Sequence, residues 1–140
     1  MSDTFSPDKR SWIMRQVKSK NTSPELRVRS LLHGMGYRFR LHRRDLPGAP
    51  DIVFPGRKKA IFVHGCFWHG HSCPRGSRLP KSNAEYWKKK IARNKERDQR
   101  HIEDLFDLGW ETLVVWECEV KDTDSLRERL KRFLGPPRAQ

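Results

Sequence analysis

Asp51-Ile52-Val53-Phe54-Pro55-Gly56-Arg57-Lys58-Lys59-Ala60-Ile61-Phe62-Val63 holds two apolar runs separated by a Pro-Gly turn. Short runs of β-branched and aromatic residues bounded by turn formers predict strands, and so close a connection predicts a hairpin. Toward the N-terminus, Leu46-Pro47-Gly48-Ala49-Pro50 reads as a turn, and Tyr37, Phe39 and Leu41 alternate with arginines as in a half-buried strand. Ser23-Pro24-Glu25 reads as a helix start, with Ser23 as the capping hydroxyl; Val28, Leu31, Leu32 and Met35 then keep helical spacing up to Gly36. Toward the C-terminus, Ser82-Asn83-Ala84-Glu85 predicts a capping box that opens a long helix ending near Leu108, with Gly109 as its stop. Leu113 to Trp116 predicts a buried strand, and Leu126, Leu130, Phe133 and Leu134 predict a closing amphipathic helix. The order predicts an α/β domain with a mixed central sheet flanked by helices. Residues 1–22 form a basic N-terminal arm, 23–135 the domain, and 136–140 a loose tail.

At 140 residues the chain is one domain, long enough to bury roughly 68% of its unfolded surface. Thirty Lys and Arg face 17 Asp and Glu, a net charge of +13. Such an excess attracts a polyanion and displaces its counterions, so the expected partner is nucleic acid rather than a membrane. No apolar run opens the chain and none reaches membrane-spanning length, so a cytoplasmic protein is expected.

Three cysteines in such a chain argue against a disulfide scaffold. Cys66, Cys73 and Cys118 instead suggest a closed zinc site, and the Gly-containing segment Cys66-Phe67-Trp68-His69-Gly70-His71-Ser72-Cys73 offers His69 or His71 as fourth ligand. Spacing leaves that choice open.

A second constellation concerns acids. Asp51 follows Pro50 at a strand start, where a carboxylate suits hard Mg²⁺, although a turn-capping aspartate would look the same. On the long helix, Trp87, Ile91, Asn94, Asp98, Ile102 and Leu105 fall in one stripe, which puts Asn94 and Asp98 on the apolar face. A buried carboxylate needs a partner. Lys95 or His101 would serve along the helix; a histidine from the 64–71 segment would make an oriented acid–base pair.

With these residues assembled, the chain resembles the very short patch repair endonucleases over roughly residues 10–120. The most specific marker is Phe62-Val63-His64-Gly65-Cys66-Phe67-Trp68-His69-Gly70-His71-Ser72-Cys73. Lys20 to Glu25, Leu46 to Asp51, Asn94 to Asp98 and Val115 to Cys118 support it. The resemblance implies a restriction-endonuclease-like fold and a nick 5′ of the thymine in T:G mismatches left by deaminated 5-methylcytosine. It implies catalytic Mg²⁺ on Asp51 and the Val63 carbonyl, where the family often has threonine. It makes His69 the general base or acid, oriented by Asp98, while His64 and Glu25 position phosphate and water. It assigns structural Zn²⁺ to Cys66, His71, Cys73 and Cys118, and so chooses His71 over His69.

The fold's usual Pro-Asp…acid-x-Lys signature is half present. Pro50-Asp51 fits, while Val63 and His64 stand where an acid and a lysine would be sought, and the resemblance moves the chemistry to histidine. The resemblance also implies that Phe67, Trp68 and Trp87 wedge into the base stack beside the mismatch, with Met14 and Val17 inserting from the opposite groove. A monomer acting on double-stranded DNA in the bacterial nucleoid is expected. A zinc-stabilised DNA-binding module and a restriction-type nuclease making double-strand cuts are the competing readings.

Overall fold

Two glycines and two helix starts show how local chemistry sets the element boundaries in this computed structural model, which describes residues 22–66, 69, 71, 73 and 82–137. The first helix, α1, spans Ser23–Gly34. Its first turn closes when Leu26 N–H donates to the Thr22 carbonyl at 2.9 Å, which makes Thr22, not Ser23, the capping residue. The long helix, α2, spans Ala84–Asp107 and is capped by Asn83 in a left-handed conformation without a side-chain capping bond. The Ser82–Glu85 capping box therefore does not form. Trp87 N–H reaches the Asn83 carbonyl at 3.1 Å, so helical bonding starts one residue later than the box requires. Gly109, at φ +87°, ends α2 as expected.

The expected strand over Tyr37–Leu41 shrinks to β1, Arg40–Leu41. Tyr37 is committed elsewhere: its N–H donates to the Leu32 carbonyl, its hydroxyl donates to the Gly135 carbonyl, and its ring meets Phe54 edge-on. Strand β2 (Ile52–Phe54), strand β3 (Lys59–His64) and strand β4 (Glu111–Trp116) complete the sheet. The order is β1-β2-β3-β4; β1/β2 and β2/β3 are antiparallel and β3/β4 is parallel. A short 3₁₀ turn (Glu117–Lys121) leads into helix α3, Thr123–Leu134, whose cap is the Asp122 carboxylate accepting from Ser125 N–H at 3.2 Å. Among the described residues no helix is long and apolar enough to cross a membrane.

Alternation along the strands divides the core in two. Ile52, Phe54, Ile61 and Val115 pack against Val28 and Leu32 of α1 and Leu126, Leu130 and Leu134 of α3. Val53, Ala60 and Phe62 face the other way, against Leu105, Trp110 and Ile102. The sheet thus lies between α1/α3 and α2. Since successive side chains on a strand oppose each other, Val63 belongs to the α1 side and His64 to the α2 side.

The β2–β3 hairpin is also tied to the end of α3. Arg57 donates to the carbonyls of Leu134 and Pro136 at 2.6 and 2.9 Å, and Lys59 donates to that of Phe133. These cations satisfy carbonyls that a helix C-terminus leaves unpaired. The turn before Asp51 is fixed against α2: Gly48 sits at φ +76°, and a Cβ there would lie 2.8 Å from the His101 ring. Only glycine lets this turn come so close, and that approach carries Asp51 to the edge of the site.

Candidate active site and thiol–imidazole cluster

Among the described residues, three groups of metal-capable side chains form around the C-terminal end of β3, each with its ligand atoms within 4.8 Å of one another. The first contains Glu25, His42 and Asp51. Glu25, in the first turn of α1, is only 2% exposed, and its Oε2 accepts from His42 Nε2 at 2.8 Å and from Arg29 Nη1 at 3.4 Å. Asp51, just before β2, accepts from Val63 N–H at 2.7 Å through Oδ2. Burial pushes the Asp51 carboxyl up to about 7, the Glu25 charge adds to this, and the Val63 N–H opposes it. A proton, or a cation in its place, therefore settles on this carboxylate at neutral pH.

The second group is His64, His69 and Asp98. Because β3 turns His64 toward α2, its ring lies near the acid on the long helix. His69 stacks on His64 with centroids 3.8 Å apart and planes within 5°. His69 Nδ1–H donates to Asp98 Oδ2. Burial works against the Asp98 charge, yet the His69 hydrogen bond, with the Arg97 charge nearby, keeps its carboxyl below the usual range. An ionised carboxylate can only accept, so the His69 nitrogen facing Asp98 is the donor; in the neutral imidazole this tautomer leaves the lone pair on Nε2. Neither Lys95 nor His101 takes the place of His69; Arg97 adds a longer ion pair at 3.8 Å.

His64 is held neutral. Burial, reinforced by its neighbour His69, pushes it down to about 3, and its Nδ1 is buried with no hydrogen-bond partner among the described residues. Such an orphan costs about 1–3 kcal/mol. Asn94 lies buried one turn before Asp98. Exposed Lys88, Lys89, Arg93, Lys95 and Arg100 cover the outer face of the same helix, so the acid–imidazole pair sits under a basic surface.

Cys66, His71, Cys73 and Cys118 form the third group. Cys118 Sγ lies 3.6 Å from His71 Nδ1, and Cys118 N–H donates to Cys66 Sγ at 3.4 Å. Zinc bond lengths at a tetrahedral angle put sulfur and nitrogen about 3.6 Å apart, so the geometry and the donor set both fit that ion. Burial pushes the Cys66 thiol up to about 12 and raises that of Cys118, so both stay protonated until a cation displaces the protons. His69 faces Asp98, which leaves His71 with the thiols.

Two contributors were not foreseen from sequence. Trp116 stacks on His71 at 4.2 Å and meets His64 edge-on at 5.2 Å, so one ring links the thiol cluster to the imidazole pair. His42 joins Glu25 across 17 positions, a separation that no local spacing rule reveals. Trp87 is half-buried on α2 and touches Tyr86 edge-on. Met14, Val17, Phe67 and Trp68 lie outside the described residues.

Comparison with known proteins identifies the family. The sequence model of the family described as DNA mismatch endonuclease Vsr matches residues 2–75. The chain is 57% identical over 136 residues to the type II nicking enzyme V.XorIIP of Xanthomonas oryzae pv. oryzae, covering 97% of this chain and 99% of that protein. It is 45% identical to the type II nicking enzyme V.NmeAIP of Neisseria meningitidis, over 96% and 95% of the two chains. With the DNA mismatch endonuclease Vsr of Escherichia coli it shares 40% identity, over 96% and 88%. Similarity of this extent, end to end, places the chain in the Vsr family of DNA mismatch endonucleases.

Proposed function

We propose that this enzyme nicks one strand of double-stranded DNA 5′ of the thymine in a T:G mismatch, in an Mg²⁺-dependent reaction. The observation that carries the reading is the pairing of His69 with Asp98 against His64, one residue along β3 from the Val63 contact of Asp51. A DNA-binding module has no use for a carboxylate-fixed imidazole beside a carboxylate whose proton affinity is tuned to neutrality. The nicking enzymes among the relatives favour a single-strand cut over a restriction-type double-strand break.

In this reading Asp51 and the Val63 carbonyl hold Mg²⁺, with Glu25 alongside, on a restriction-endonuclease-like sheet. Mg²⁺ when bound would offset the charge that builds on the phosphate. Asp98 fixes the His69 tautomer, so that Nε2 is the atom at which the proton of the attacking water is taken up. The orphaned Nδ1 of neutral His64 is available to a phosphate or water oxygen. Phe67, Trp68 and Trp87, with Met14 and Val17 of the 1–22 arm, supply the wedge that unstacks the weakened pair, at a few kcal/mol per step. We further assign the protein to the bacterial cytoplasm, acting as a monomer on nucleoid DNA.

The test is a denaturing-gel assay with a strand-labelled duplex and Mg²⁺. The T:G duplex is expected to be cut once, 5′ of the thymine, with the matched duplex intact. Equal cutting of both would remove the mismatch specificity, and no cutting of either would remove the nuclease reading.

Zn²⁺ on Cys66, His71, Cys73 and Cys118 would staple the loop after β3 to the end of β4. Cys118→Ser is expected to lower bound zinc below one equivalent by elemental analysis and to cost about 3 kcal/mol or more in denaturant unfolding. Full zinc content in that variant would exclude Cys118 as a ligand.

A further inference from the structure

We propose that His42 is a positioning residue of the nicking reaction, holding Glu25 and Asp51 in register as one two-carboxylate face. The inference rests on the metal role assigned above to Asp51. His42 is joined to both acids by different atoms. Its backbone N–H donates to the Asp51 carbonyl at 3.0 Å, extending the β1–β2 ladder one step past Leu41. Its Nε2 reaches Glu25 Oε2 at 2.8 Å. One residue thus ties the first turn of α1 to the residue that opens β2.

The backbone of His42 gives a second, independent indication. It sits at φ +50°, a left-handed conformation that side chains with a Cβ rarely adopt. Strain of this kind persists where the surroundings impose it, and it clusters at functional sites. Here it is what lets the backbone bond Asp51 while the imidazole turns back toward α1. Arg29 also reaches Glu25, but at 3.4 Å and from the same helix, so it neutralises the acid without fixing it relative to β2.

The buried Glu25 and the half-buried Asp51 sit on separate elements with carboxylate oxygens within 4.8 Å, and two such charges repel each other more strongly away from water. That repulsion favours a turn of the Glu25 side chain away from Asp51 toward Arg29. His42 opposes this, and a cation that needs both oxygens would find them already placed. A side chain acting in this way supports the group that touches the reacting centre; loss of such a partner typically costs 10- to 100-fold in metal affinity or activity.

The experiment compares His42→Leu and His42→Gln with wild type in single-turnover nicking of the mismatched duplex across an Mg²⁺ series. Duplex affinity in EDTA and Tm are measured beside it. Glutamine can still donate to Glu25 and should nick close to the wild-type rate. Leucine should lower the rate about 10- to 100-fold and raise the Mg²⁺ concentration for half-maximal nicking, with duplex affinity unchanged. Wild-type nicking and Mg²⁺ dependence in His42→Leu would overturn the proposal. Glutamine as impaired as leucine would also overturn it, since the imidazole itself would then be needed. A loss in both variants that tracks a fall in Tm would reduce His42 to a structural role and overturn it as well. Failure of wild type to nick at all would instead strike the functional reading beneath it.

Discussion

Asp51→Asn is expected to abolish nicking, by about a thousandfold or more, and to make the metal-free protein more stable at pH 8. The two effects share one cause. In the folded chain burial and the Glu25 charge raise the Asp51 carboxyl to about 7, well above its unfolded value. Between roughly pH 4 and 7 the folded state therefore binds more protons than the unfolded one, and stability falls as pH rises through that window. Above it the full penalty remains, at most about 4 kcal/mol. Asparagine removes the charge, and its amide oxygen can still accept from Val63 N–H, so roughly 1–3 kcal/mol should be recovered in urea unfolding with EDTA at pH 8. At pH 4 the two proteins should unfold alike. A variant that nicks normally would remove Asp51 from the metal site, and one no more stable than wild type at pH 8 would show that the carboxylate is not strained. With the proposed metal role, function and stability oppose each other at this position, since a carboxylate placed to receive a cation is costly without one.

Much of the fold was legible because apolar periodicity is a strong signal. The Ile52–Phe54 and Ala60–Val63 runs are the two strands expected, and the stripe on α2 placed Asp98 on the buried face where the structure has it. What failed was end chemistry. Ser23 and Ser82 look like caps in sequence, but a cap depends on where the first helical bond closes, which the preceding chain decides. Tyr37 and Phe39 alternate like a strand yet pack as part of the α1–α3 core, since burial against Phe54 outweighed ladder pairing.

At the site, long-range pairings were harder still. That Asp98 needed a partner followed from its place on the stripe, and the 64–71 segment was a reasonable source; its meeting with His69 is a tertiary fact. Nothing in the sequence separated His42 from the arginines around it, because its role comes from a positive φ and a partner on another element. Trp116 was legible as a strand residue only. Its contacts with His71 and His64 give a physical route by which a loosened thiol cluster would disturb the imidazoles.

The Asp98–His69 pair is probed by the single-turnover nicking rate of Asp98→Asn on a T:G duplex with saturating Mg²⁺. Asparagine keeps the size of the side chain but can offer an N–H where His69 needs an acceptor, so the imidazole loses its fixed tautomer and Nε2 its lone pair. Where a carboxylate orients a catalytic histidine, this substitution costs up to about 10⁴-fold. The rate should fall about 10²- to 10⁴-fold with duplex affinity kept. A rate within a few-fold of wild type would mean that the Asp98–His69 pair does not carry the chemistry.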